Sequence, residues 1–117
     1  ELDVISSGGQ LSRSNRNCLI GSDAQRTFSQ IRADILFFAT KALSSEGIVS
    51  DCDREEVCLR QIMMENASQK VYLCASEKFG HHSAFRQCTL ADVDNMITEC
   101  AVKTVFAPLG QLAEKII

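Results

Sequence analysis

Short apolar runs, separated by polar stretches, are the main feature of the hydrophobic pattern along this chain. Ile35-Leu36-Phe37-Phe38-Ala39 is continuously apolar, rich in aromatic and branched residues, and too short for a helix. Such a run is typical of a strand that is buried on both faces, as in a parallel sheet. The apolar runs predict three further strands, at Leu2–Ile5, Val71–Cys74 and Met96–Thr98.

Capping residues and helical periodicity predict helices between these strands. Ser22 with Gln25 forms a capping-box pattern, in which a hydroxyl and an amide satisfy the first backbone N–H groups. Asp53 with Glu56 gives a second N-cap pattern, and an apolar stripe follows it. The predicted helical segments are Ser22–Arg32, Asp53–Ala67, one turn at Thr89–Asp94, and a terminal helix at Leu109–Ile116 after Pro108.

Strands and helices therefore alternate, with polar loops predicted at Leu43–Ser50 and Ser76–Ser83. This spacing is typical of βαβ units, so we predict an α/β domain with a mainly parallel sheet and helices on its faces. Ligands of such sheets bind beyond the carboxyl ends of the strands. The loops at those ends are Ser6–Gly9, Ala39–Ala42 and Ala75–Gly80.

Composition narrows the class of protein. A chain of 117 residues with 45% hydrophobic residues is typical of one globular domain, and no apolar run approaches the ~18 residues of a membrane helix. The net charge of −3 argues against direct binding of nucleic acid, which usually needs a basic surface. Because the first residue is Glu1 and a strand follows at once, we expect a piece of a larger protein, in which another segment would bind any DNA.

The six cysteines carry no recognisable site. Their spacing contains no Cys-x-x-Cys pair, so no metal signature follows. A core of this length needs no disulfides, and we therefore predict reduced thiols, as in a cytoplasmic protein, with no metal and no cofactor.

Two lysines that follow predicted strands are the best candidates for ligand contacts. Thr40 and Lys41 offer a hydroxyl and a cation, and Lys78 can donate three hydrogen bonds to a phosphate. Glu55 can accept hydrogen bonds from a polyhydroxylated ligand, whereas a single arginine such as Arg60 is more often a surface residue. Neither a nucleophile–base pair nor a phosphate-binding loop is evident, so the residues alone indicate an α/β domain with an anion site.

Several motifs, taken in their order along the chain, resemble those of the effector-sensing domain of DeoR-family bacterial transcription regulators. The resemblance runs from about Val4 to Glu99. The most specific motifs are Ser76-Glu77-Lys78-Phe79-Gly80 and Asp92-Val93-Asp94-Asn95-Met96-Ile97-Thr98. The other matching motifs are Gly8-Gly9, Gly21 before a helix, Ala33-Asp34, Gly47-Ile48 and Glu55.

This resemblance implies a Rossmann-like sensor, related in fold to ribose-5-phosphate isomerase and glucosamine-6-phosphate deaminase. It implies binding of a phosphorylated sugar or related metabolite that alters the DNA affinity of a cytoplasmic homo-oligomer. Residues 1–117 would then be a single sensor domain that lacks its first strand and the N-terminal winged helix-turn-helix. DNA would be contacted only through that missing domain, and no membrane would be involved.

The resemblance carries Lys78, Glu55 and Gly47 over as ligand-binding residues, and Thr40 and Lys41 by position. Departures from the family pattern lie close to these candidate ligand-binding residues in the sequence. Thr40-Lys41-Ala42-Leu43 stands where Ala-Asp-Gly-Ile is usual, Ala75 replaces an aspartate, and Leu59 replaces a lysine.

Two other functions stay open at this stage. A sugar-phosphate isomerase or deaminase could share the fold, but it would need a carboxylate base. The two aspartates that the family pattern places in these loops are replaced here by Lys41 and Ala75. A sensor that has lost its ligand and serves only for oligomerisation is the third interpretation. We expect a regulator and not an enzyme.

Overall fold

The computed structural model describes residues 1–101 and 103–117 and shows a mixed α/β domain with two three-stranded sheets and a small strand pair. The strands are β1 (Gln10–Leu11), β2 (Leu19–Ile20), β3 (Ala33–Ala39), β4 (Ala42–Leu43), β5 (Ile48–Asp51), β6 (Ala67–Leu73), β7 (Phe85–Thr89) and β8 (Asn95–Ile97). The α-helices are α1 (Ser22–Gln30) and α2 (Arg54–Glu65). Short 3-10 turns form at Ser76–Lys78 and Leu90–Asp92, and 3-10 structure with a kink at Gly110 spans Lys103–Lys115.

A parallel sheet in the order β3-β6-β8 forms the centre of the domain. Its inner face carries Phe38, Tyr72 and Met96, all of which are buried. The rings of Phe38 and Tyr72 stack with centroids 5.2 Å apart. These side chains pack with Leu43, Val49 and other residues of the antiparallel sheet, so the core lies between the two sheets.

The outer face of the parallel sheet differs from the expectation. We predicted β3 to be buried on both faces, yet Ile35 is 48% and Phe37 is 59% exposed. Leu73 and Ile97 are exposed on the same face. An apolar run shows that a strand prefers burial, but it does not show which segment covers it, and no segment among the described residues covers this face.

A second sheet, in the order β4-β5-β7, is antiparallel and was not predicted. The predicted loop at Leu43–Ser50 in fact contains most of the β4–β5 hairpin, whose turn is held by the Ser44 hydroxyl, which accepts from the Ile48 N–H at 3.0 Å. Strand β7 escaped prediction because its sequence, Phe-Arg-Gln-Cys-Thr, is mostly polar. Of the two three-stranded sheets in the described residues, the central one is parallel and the other antiparallel, so the expectation of one mainly parallel sheet is met only by β3-β6-β8.

The two long helices lie close to their predicted positions. Asp53 caps α2 as expected, accepting from the N–H groups of Glu55 and Glu56. The capping box at Ser22 is wrong, because α1 begins after Gly21 and no side chain caps it. The turn at Leu90–Asp92 is confirmed with Thr89 as its cap, whereas the terminal segment is 3-10 structure that runs through Pro108.

The predicted strand at Leu2–Ile5 is wrong. Residues 1–9 form no regular structure, and Leu2 and Val4 are each 90% exposed. A strand needs a partner for its backbone N–H and C=O groups, and no described strand pairs with this segment. The structure gives Cys18, Cys52, Cys58, Cys74 and Cys88 as free thiols. None of the helices in the described ranges has the length and apolar character needed to cross a bilayer.

The turn at Ser76–Lys78 is fastened to the end of β8 by Glu99. The Glu99 carboxylate accepts from the Ser76 N–H at 3.0 Å and from the Ser76 hydroxyl at 2.5 Å. The Thr98 hydroxyl donates to the other carboxylate oxygen of Glu99 at 3.1 Å. These bonds, first of all the one from the Ser76 hydroxyl, lower the pKa of Glu99 to about 2. The loop that follows β6 is thus tied to the loop that follows β8.

The β4–β5 hairpin turns at Gly47, whose φ of +88° is strained for any residue with a side chain. A Cβ at this position would lie 2.8 Å from Cδ1 of Leu112, in the C-terminal 3-10 segment. The Gly47 carbonyl also accepts from the Leu90 N–H at 2.7 Å. Gly47 therefore lets the hairpin approach two other parts of the chain.

We expect Gly47→Ala to lower the free energy of unfolding by about 1–2 kcal/mol from backbone strain, with a further loss from the contact with Leu112. Gly80→Ala is the matched control, because Gly80 has a φ of +85° and open space around its Cβ position. Urea denaturation should show a larger loss for Gly47→Ala. Equal losses would contradict a packing role for Gly47.

We expect Glu99→Gln to remove an acid-sensitive part of the stability. The pKa of Glu99 lies below its ordinary value of 4.5, so its contribution is complete above about pH 4.5 and is lost as the pH falls towards 2. Urea denaturation between pH 7 and pH 2 should show that the variant is less stable than the wild type at neutral pH and that this difference shrinks in acid. Glu77→Gln, at an exposed neighbouring position, is the control. A difference that stays constant across the pH range would refute the role of Glu99 in joining the two loops.

Candidate functional site

A cleft of about 410 Å³ opens beyond the carboxyl ends of β3 and β6. Because these strands are parallel neighbours, the loops that follow them leave the sheet at the same edge. Two of the three predicted loops, Ala39–Ala42 and Ala75–Gly80, meet here. The cleft is lined by Ser14, Asn15, Ala39, Thr40, Lys41, Asp51, Cys52, Asp53, Glu56, Arg60 and Lys78.

Lys41 and Lys78 bring two positive charges to this cleft. Lys41 is exposed and Lys78 is half-buried. Within residues 1–101 and 103–117, neither ammonium group forms an ion pair or a hydrogen bond. Ammonium groups donate strong hydrogen bonds to phosphate and carboxylate oxygens. The cleft therefore offers two unpaired cationic donors to an anion.

Thr40 lies at the floor of the cleft and is only 4% exposed. Its hydroxyl is 2.8 Å from the hydroxyl of Tyr72, which is fully buried. Burial raises the pKa of Tyr72 well above its ordinary value, so the phenol stays neutral and able to donate. The Thr40 hydroxyl is thus held in place by the core beneath it.

Arg60 links α2 to the antiparallel sheet, and the expectation of a surface arginine is wrong. Its guanidinium donates to Asp51 at 2.6 Å and to the Gln87 side chain at 2.7 Å, and one of its nitrogens lies 3.6 Å from Glu56. The side chain is only 14% exposed. A guanidinium with several partners is a rigid connector, so Arg60 fixes one wall of the cleft.

Two side chains from the N-terminal part of the chain complete that wall. The Cys18 thiol donates to the Glu56 carboxylate at 3.0 Å, and the Ser14 hydroxyl donates to Asp53 at 2.8 Å. Burial, followed by the bond to Glu56, raises the pKa of Cys18 to about 11, so the thiol stays protonated at neutral pH. The bond from Ser14 is the largest cause of the lowered pKa of Asp53, which keeps this helix cap ionised.

Two of the residues predicted from the resemblance lie outside the cleft. Gly47 packs against Leu112 in the β4–β5 hairpin. Glu55 is exposed and lines a neighbouring cavity of about 580 Å³. The third predicted loop, Ser6–Gly9, contributes Ser6 and Ser7 to another cavity of about 400 Å³.

Asp51, Glu56 and Arg60 are the site residues that the sequence pattern missed. Glu56 and Arg60 are four residues apart on a helix, a spacing at which an acid and a base share one face, and this was an available signal. Asp51 ends a strand that was not predicted, so nothing in the pattern placed it beside Arg60.

The buried cysteines near the cleft are poor nucleophiles. Burial raises the pKa of Cys18, Cys74 and Cys88, none of which lines the cleft, and this disfavours the thiolate at these positions. Among the described residues, no cluster of three or more His, Cys, Asp or Glu side chains is arranged to hold a metal ion. What the cleft does supply is a set of fixed hydrogen-bonding groups with unpaired positive charge.

Comparison with known proteins gives the family. The chain is 28% identical to the HTH-type transcriptional regulator GlpR of Haloferax volcanii over 97 residues, 83% of this chain and 38% of that protein. It is 26% identical to the glycerol-3-phosphate regulon repressor of Escherichia coli K12, over 82% of this chain and 38% of the repressor. It is also 25% identical to the uncharacterized HTH-type transcriptional regulator YgbI of Escherichia coli K12, with similar coverage.

The chain thus spans less than two fifths of the length of these relatives, all of which are named as transcriptional regulators or as a regulon repressor. The DeoR C terminal sensor domain, as a family model, matches residues 1–100. The resemblance found in the motifs is therefore confirmed, and the chain belongs to the DeoR C-terminal sensor domain family.

Proposed function

We propose that this domain senses a phosphorylated sugar or a similar phosphorylated metabolite, which binds in the cleft at the ends of β3 and β6. The observation that carries the proposal is the convergence of Lys41 and Lys78 in one cleft, with neither ammonium group paired among the described residues. Lys78 binds the phosphate, Lys41 adds a second positive charge, and Thr40 offers its hydroxyl at the floor.

The relatives support the chemical class of the ligand. One of them is named a repressor of the glycerol-3-phosphate regulon, so a small phosphorylated polyol is associated with a protein that shares this domain. The cleft suits such a molecule because it combines unpaired cations with fixed carboxylates.

The proposed output is a change in DNA affinity. The relatives are named as helix-turn-helix regulators, and the net charge of −3 of this chain does not favour binding to DNA. We therefore propose that it acts within a longer cytoplasmic protein, whose N-terminal winged helix-turn-helix contacts DNA. Ligand binding then favours one of two conformations that differ in DNA affinity.

Three further points follow from the resemblance and belong to the same proposal. The domain is related in fold to ribose-5-phosphate isomerase and glucosamine-6-phosphate deaminase, with a first strand supplied by the longer protein. The regulator is a homo-oligomer. Gly47 and Glu55 belong to the ligand site through their neighbourhoods, since Gly47 shapes the hairpin that ends in Asp51 and Glu55 lines the adjoining cavity.

We expect Lys78→Ala to weaken binding of a phosphorylated ligand by about ten- to hundredfold. A charge-assisted hydrogen bond to phosphate is worth roughly 1.5–3 kcal/mol, and each 1.4 kcal/mol is about tenfold in Kd. Isothermal titration calorimetry with phosphorylated sugars and polyols measures the loss. Lys103→Ala removes an exposed lysine that does not line the cleft and should leave Kd unchanged.

A thermal-shift panel identifies the ligand first. It should include phosphorylated sugars and polyols, the corresponding unphosphorylated compounds, and inorganic phosphate. A ligand at about 100 times its Kd adds about 2.7 kcal/mol to the free energy of unfolding. If no phosphorylated compound raises the melting temperature, the domain is a ligand-free element that serves oligomerisation, and the proposal is wrong.

A further inference from the structure

Glu56 is the carboxylate of the cleft whose hydrogen bonds are least complete. Its side chain is only 12% exposed. One oxygen, Oε1, accepts from the Cys18 thiol at 3.0 Å and lies 3.6 Å from Arg60. The other oxygen, Oε2, accepts no hydrogen bond from any residue in the ranges that the structure describes.

The two other carboxylates of the cleft have donors for both of their oxygens. Asp51 accepts from the Cys52 N–H at 2.7 Å and from Arg60 at 2.6 Å. Asp53 accepts from the first N–H groups of α2 on one oxygen and from the Ser14 hydroxyl on the other. These two residues are therefore committed to holding the fold together.

Glu56 is in a different position. No side-chain oxygen among the described residues is both sealed from solvent and without a partner, so Oε2 retains some exposure to solvent. A ligand donor that reaches this atom can replace the water that hydrates it. Arg60, the partner of Glu56, is already shared with Asp51 and Gln87, and the Cys18 thiol is a weak donor that occupies Oε1. Oε2 is thus the acceptor in this wall that a ligand can satisfy.

The negative charge of Glu56 decides which part of a ligand can contact its Oε2. A carboxylate repels phosphate and attracts an O–H or N–H donor, whereas Lys41 and Lys78 attract phosphate. All three residues line one cleft of about 410 Å³, which is large enough for a small phosphorylated molecule. A ligand bound by both kinds of group must carry a phosphate and, elsewhere, a hydrogen-bond donor.

We infer that Glu56 is a specificity-determining residue, which accepts a hydrogen bond from a hydroxyl group of the phosphorylated ligand. This inference rests on the proposed function. It assigns the selection of phosphorylated polyols and sugars, over alkyl phosphates of the same size, to Glu56 and not to the adjacent Glu55. A site that is built to pair with a hydroxyl rejects the analogue without one, because its own polar group is then left unpaired.

The test compares two ligands that differ only in their hydroxyl groups, glycerol 3-phosphate and propyl phosphate. Calorimetric Kd values are measured for both, with the wild-type chain, Glu56→Gln and Glu65→Gln. We expect the wild type to prefer glycerol 3-phosphate by at least about tenfold, and Glu56→Gln to reduce this preference by about tenfold. Glu65→Gln, an exposed position on the same helix that does not line the cleft, is the matched control and should keep the wild-type preference.

The outcomes separate this inference from the proposed function. If a phosphorylated compound binds but the wild type does not prefer glycerol 3-phosphate over propyl phosphate, the assignment of Glu56 is overturned and the phosphate site stands. The same holds if Glu56→Gln keeps the preference or if Glu65→Gln loses it. If no phosphorylated compound binds, the proposed function and the assignment of Glu56 are both wrong.

A folding defect is controlled in two ways. Arg60 keeps its bonds to Asp51 and Gln87 in Glu56→Gln, so circular dichroism and the melting temperature should show a folded variant. Glu56→Asp is the second variant, because it keeps the charge but withdraws the oxygens by one methylene. Its preference for glycerol 3-phosphate should also fall, while its affinity for propyl phosphate stays close to that of the wild type.

Discussion

The parallel pairing of β3 with β6 is the constraint on which the rest of the structure depends. Phe37 lies beside Val71 and Ala39 beside Leu73, so the two strands end together at one edge of the sheet. Beneath that edge, the stacked rings of Phe38 and Tyr72 fill the core. Because both strands end at the same level, the chain delivers Lys41 and Lys78, which are 37 positions apart in the sequence, to a single cleft.

Around this frame, the wall of the cleft depends on polar connections between distant segments. Arg60 on α2 reaches β5 through Asp51 and β7 through Gln87. Cys18 and Ser14 tie the N-terminal part of the chain to the first turn of the same helix. These groups satisfy one another and leave the two lysines unpaired among the described residues, so the cleft has a fixed side and a side that is available to a ligand.

Sequence patterns predicted the elements whose signal is local. Each of β3, β6 and β8 contains a short apolar stretch, and α2 begins after an aspartate that caps it, so the existence of these elements followed from local sequence. The hairpin of β4 and β5 and strand β7 were missed, because β4 and β5 are only two and four residues long and β7 is mostly polar, so all three depend on pairing with their neighbours. Leu2–Ile5 failed for the opposite reason, since it has the residues of a strand but no partner.

The residues of the candidate site were likewise predictable only where the signal is local. Thr40, Lys41 and Lys78 follow strands that were predicted, and the structure brings them together. Arg60 and Glu56 could be placed on one helix face, but their contacts with Asp51, Gln87 and Cys18 join segments that are 9 to 38 positions apart. No local pattern encodes such contacts.

The outer face of the parallel sheet has a consequence for how the chain behaves in concentrated solution. β3 is an edge strand, and Ile35 and Phe37 stand on its uncovered side. An open edge beside an apolar surface is a template for strand addition between copies, the first step of aggregation. Asp34 is the sole charge in the seven residues of β3, so the strand itself contributes little charge that would protect this edge.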